Sequence, residues 1–181
     1  MQAIFHDAID LIRGRVQPLA HYNYPPWQPA ILLLLSGLVG AAGATDLGDD
    51  IAGRLMLFTL LGTAESILLA GFMRRWLKFA DTGAQRPLFG IIVAVGAVQL
   101  LSPLASWLPG DVADAVTMVI ALFGMLMMIN ALAAVSGNTR MRVLLGTLLF
   151  SPIAALLMML AFSAGESLGW VILPVTAAAG G

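Results

Sequence analysis

The chain has 181 residues, of which 60% are hydrophobic and only 10% charged, with a formal net charge of −1 and a mean hydropathy of +0.93. A soluble domain carries about 25% charged residues, and a globule of this length could not hide so many apolar side chains behind a wettable surface. The balance therefore excludes an ordinary soluble fold, argues against nucleic acid as a partner and, with no cysteine, excludes disulfide and thiol chemistry.

The expected class is all-α: a polytopic membrane helix bundle preceded by an amphipathic helix. Residues 1–26 form a separate N-terminal segment. His6, Asp7, Asp10, Arg13 and Arg15 interrupt it early, unlike the unbroken apolar run of a cleavable signal. Ile4, Phe5, Ala8, Ile9 and Ile12 recur at helical spacing, with Asp7, Asp10 and Arg13 on other sides. Such a helix can lie in the headgroup plane or dock on the rest of the protein, and amphipathicity alone does not separate the two.

A spanning helix needs about 20 apolar residues. Five stretches qualify, at about 27–44, 51–73, 88–108, 112–135 and 143–164. The first is short and follows the breaker-rich "HYNYPPWQP", whose aromatic residues suit a membrane entry point. Within it, Ser36 and Gly40 make a small-xxx-small pair of the packing type. "ATDLGDD" separates spans one and two, and "RRWLKFADTGAQRP" separates two and three. Pro103 and Pro152 are expected to kink their spans. Asp111 and Asp114 open the fourth near the positive end of its dipole. "SGNTR" closes it, with Gly137 as C-cap and Thr139 as N-cap of the fifth. No loop holds a further domain, so residues 27–164 are one membrane domain and 165–181 a tail.

Five crossings place Arg13, Arg15, Arg74, Arg75, Lys78, Arg86, Arg140 and Arg142 at one end. Arg54 falls near the other, where Asp50, one turn earlier, is expected to pair with it. Asp46, Asp49, Asp50, Asp111, Asp114 and Glu166 gather at that end too. The positive-inside rule then sets the N-terminus in the cytoplasm and the C-terminus outside. The cations of "RRWLK" also suit anionic lipid headgroups at about 1 kcal/mol each.

Glu65 is the residue that composition does not explain. It sits in "LLGTAESILLAG", where a carboxylate costs about 2.5–3.5 kcal/mol on insertion scales and normally faces a bundle interior or a wet cavity. Counting helical rise places Ser36, Asn130, Thr147 and Ser151 at similar depth, with Gln99 somewhat deeper. The expectation is a polar layer in which Glu65 locks helix packing. The alternative is a proton or cation site on a transport path, for which no inverted repeat is evident. His6 and His21 match no metal-site spacing. No nucleophile–base constellation, HExxH or phosphate-cradling loop is present. No enzyme, metal or cofactor is therefore expected.

The order of parts resembles the Yip family of Ypt-interacting proteins. The likeness runs from about Leu60 to Phe162 and is clearest at "NALAAVSGNTRMRVLLGTLLFSPIAALL", Asn130 to Leu157. There a span ends in a small-residue and Gly turn, a Thr-Arg step follows, and the last span begins. The acidic-aromatic-Gly-Pro signature of eukaryotic members has no counterpart in "HYNYPPWQP". The resemblance implies a non-enzymatic scaffold or interaction protein of a bacterial inner membrane. It implies as partners membrane lipids and either another protein or a second copy, and it carries over no catalytic residue.

Overall fold

The computed structural model describes residues 2–78 and 85–172, and among them every regular element is helical. The connector 79–84 and the tail from 173 onward lie outside the described residues. Helix α1 spans Gln2–Ile12, and a 3₁₀ turn at Leu19–Tyr22 leads to α2, Trp27–Gly43. Helix α3 is Ile51–Trp76. Helix α4, Gln85–Gly96, runs on as a 3₁₀-helix over Ala97–Trp107. Then come α5, Gly110–Ser136, and α6, Arg140–Ser167. Four segments are long and apolar enough to cross a membrane: Ile51–Trp76, Arg86–Trp107, Gly110–Ser136 and Arg140–Ser167. Helix α2, with 17 residues, is about 25 Å long and falls short of the roughly 30 Å hydrocarbon layer.

Local chemistry explains where the helices stop and start. Asp50 caps α3 by accepting a hydrogen bond from the Gly53 amide at 3.0 Å. The expected Asp50–Arg54 pair does not form. Arg54 is buried and donates instead to the Ala44 carbonyl at the end of α2. Gly137 takes the left-handed conformation that closes α5 (φ 66°), and Thr139 accepts from the Arg142 amide to open α6. Pro152 lies inside α6. Pro103 lies within the 3₁₀ stretch, in which Leu101, Leu104 and Trp107, three residues apart, share an exposed stripe while Ala105 is buried.

Helix α4 forms the centre. Leu88 and Ile91–Val95 are all buried, enclosed by Ile4 and Leu11 of α1, Tyr22, Leu32 of α2, Met73 of α3 and Leu132 of α5. Of its two sequence readings, α1 therefore takes the docked one, with Ile9 and Ile12 remaining outward. Helices α2 and α3 meet through small residues: a Cβ on Gly37 would overlap Thr59 Oγ1, and Gly40 rests against the Phe58 ring. Gly37 is buried and Ser36 only half-buried, so the close approach is made by a glycine one position beyond the expected serine.

The end of the bundle rich in arginine is clamped by side chains. Trp76 donates its indole N–H to the Arg142 carbonyl at 2.8 Å, and Arg142 returns a bond to the Trp76 carbonyl at 3.0 Å. Asn138 reaches the Leu77 carbonyl at 3.2 Å. At the acidic end the chain turns back after α6: Val171 is buried, and the Ile172 amide bonds the Leu47 carbonyl at 2.8 Å. Residues 168–172 thus pack against the acidic end.

Candidate functional site

Among the described residues, no hydrogen bond joins any two of the six side chains expected to form one polar layer. Glu65, Gln99, Asn130 and Ser151 are exposed, and Ser36 is half-buried. Ser151 hydrogen-bonds the Leu148 carbonyl of its own helix at 2.9 Å, and Thr147 the Val143 carbonyl at 3.1 Å. The depth estimate ignored rotation about the helix axis. On α5, Gly124, Met127, Ala131, Leu132 and Ala133 are buried while Asn130, beside them in sequence, is exposed. Gln99 lies near Gly124, its amide nitrogen 3.7 Å from where a Cβ there would stand.

The position of Glu65 is more informative. It lies about 17 Å along α3 from Trp76 and about 21 Å from Ile51, close to mid-span. Phe58, Glu65 and Phe72 repeat every seven residues and so share one face of α3. Both phenylalanines bridge to α6. Phe58 meets Phe162 edge-on at 6.2 Å, and Phe72 meets Phe150 at 5.7 Å. Between these two aromatic bridges the Glu65 side chain is exposed. It makes no hydrogen bond or ion pair among the described residues. Among the described residues, no hydrogen bond within this chain supports the packing role expected of Glu65.

The buried polar chemistry lies elsewhere, in the N-terminal segment. Asp7 is only 4% exposed. Its carboxylate accepts from the Tyr24 hydroxyl at 2.6 Å and lies 3.0 Å from His21 Nε2. Burial, and then the bond to Asp7, raises the Tyr24 phenol above its ordinary value of 10.0. Burial also raises Tyr22, whose hydroxyl accepts from the Gln17 amide at 3.0 Å. This cluster ties α1 to the strap that enters α2. Sequence spacing gave no hint of it, since its members are 14 and 17 residues apart. His21 serves here as an Asp7 partner, and His6 stands 3.7 Å from Asp10. Among the described residues, no group of three His, Asp or Glu side chains is placed to hold a metal ion.

The cations at the arginine-rich end divide. Arg75, Lys78, Arg86 and Arg140 are exposed, and Arg74 is half-buried. Arg142 is committed to the Trp76 clamp. Arg74 and Arg75 border a groove of about 640 Å³ between α3 and α6. Compared with protein-family models, curated proteins and solved structures, the chain finds no match.

Proposed function

We propose that this membrane protein is a non-enzymatic interaction or organising protein of Yip-like layout, which associates within the bilayer with another protein or with a second copy of itself. The observation that carries this reading is Glu65, a mid-span carboxyl group left uncovered between two aromatic bridges. A polar group at that depth costs about 2.5–3.5 kcal/mol unless something satisfies it. A donor from a neighbouring helix meets that need without a new cavity. The distribution of arginine supports a cytoplasmic basic end, and the likeness in layout supports a bacterial inner membrane.

A second reading has the same residue in its favour. An exposed mid-span acid also suits a proton or cation site of a small transporter, or of a transporter subunit. The two separate on purification from native membranes into nanodiscs, with wild type beside Glu65→Gln and Glu65→Leu. The interaction reading expects a co-purifying protein or a doubled mass, kept by Glu65→Gln, which still hydrogen-bonds, and weakened by Glu65→Leu. A lone monomer in all three, together with a pH-dependent proton or cation flux abolished by Glu65→Gln, would establish the transport reading in its place.

A further inference from the structure

The groove between α3 and α6 has two kinds of wall. Along α3, Ile67, Leu68 and Gly71 follow one side of the helix, and Phe150 and Ile153 of α6 face them. Ile67 and Leu68 are 48% and 44% exposed, so the groove opens sideways, toward where acyl chains lie. At the basic end its lining changes to Arg74 and Arg75, one helical turn beyond Gly71. Its volume of about 640 Å³ falls within the range of small-molecule sites, roughly 300–1,000 Å³.

We propose that this groove binds one anionic phospholipid from the leaflet at the basic end. An acyl chain lies against Leu68, Phe150 and Ile153, and the phosphate meets the guanidinium group of the exposed Arg75. The argument is one of matched chemistry along a single axis. An amphiphile with an apolar tail and a negative head needs an apolar slot within the hydrocarbon and a cation where the slot reaches the headgroups. Guanidinium suits the head because its planar fork gives phosphate two parallel hydrogen bonds. A partner helix would use the slot and make no use of the exposed Arg75 at its mouth. A soluble anion would use Arg75 and leave the slot unexplained.

Gly71 offers a clean way to test the tail separately from the head, because a Cβ built there meets nothing within 4 Å. Gly71→Leu should therefore fill the slot with little strain on the bundle. The experiment is native mass spectrometry of the full chain released from detergent, titrated with phosphatidylglycerol or with phosphatidylcholine. Wild type should retain one phosphatidylglycerol with at least tenfold preference over phosphatidylcholine. Arg75→Gln should lose that preference. Gly71→Leu should lower retention of phosphatidylglycerol about tenfold while its melting temperature stays at the wild-type value. Equal retention of the two lipids by wild type would overturn the proposal, as would undiminished phosphatidylglycerol binding in Gly71→Leu. A lipid-free dimer that Gly71→Leu converts to monomer would assign the groove to a second copy instead.

Discussion

The spans Arg86–Trp107 and Arg140–Ser167 are nearly equal in mean hydropathy, yet 56% of the apolar window of the first is buried in the protein and only 17% of the second. The difference comes from what surrounds them. Helix α4 is wrapped by α1, the strap at Tyr22, and α2, α3 and α5, whereas α6 is held at its two ends and faces outward between them. Outward apolar surface is no penalty where lipid is the solvent. Stability should therefore concentrate around α4, and α6 should tolerate change along most of its length.

The sharpest way to break this contrast is at Gly90 of α4, where a Cβ would overlap the Tyr22 carbonyl. Gly90→Val is expected to displace the strap and cost about 3 kcal/mol or more, read as early loss of the monodisperse species on heating in detergent. Next comes Asp7→Ala, which strips the acceptor from Tyr24 and His21. Its expected cost is about 2 kcal/mol, measured by denaturant titration. The same cluster predicts a pH dependence. The raised Tyr24 phenol contributes stability that is full below about pH 10 and is lost as pH rises beyond it, because the unfolded phenol ionises first. Wild type should then lose stability above pH 10 more steeply than Tyr24→Phe, with Tyr22 retaining its own share. Trp76→Phe removes one hydrogen bond to the Arg142 carbonyl. It should cost about 1 kcal/mol and raise hydrogen exchange at the start of α6 alone. Leu160→Ala, on a side chain 68% exposed, should stay within about 0.5 kcal/mol. A large loss there would mean that α6 is covered in the native membrane, which would sharpen the assembly reading.

Much of the architecture was legible because the bilayer imposes length and composition. The apolar stretches, the Gly137 stop and the Thr139 cap follow from rules that act within a few residues of each other. The polar layer was not legible, because depth along a helix is readable from sequence and rotation relative to other helices is not. Asn130 and Ala131 share a depth and differ in exposure. Asp7 shows the same limit from the other side. It reads as a solvated residue on a surface helix until the strap brings His21 and Tyr24 back over it. Arg54 reads as a partner of Asp50, one turn earlier, until the fold brings the Ala44 carbonyl to it.

The 3₁₀ continuation of α4 bears on how far a short sequence can reach. A 3₁₀ residue advances about 2.0 Å against about 1.5 Å in an α-helix. Twelve α-helical and eleven 3₁₀ residues therefore extend about 40 Å, the same reach as the 26 residues of α3 or the 27 of α5. The most enclosed span matches its longer neighbours through pitch instead of residue count. One added residue in Ala97–Trp107 would push Trp107 about 2 Å further out and rotate the Leu101–Leu104–Trp107 stripe by a third of a turn.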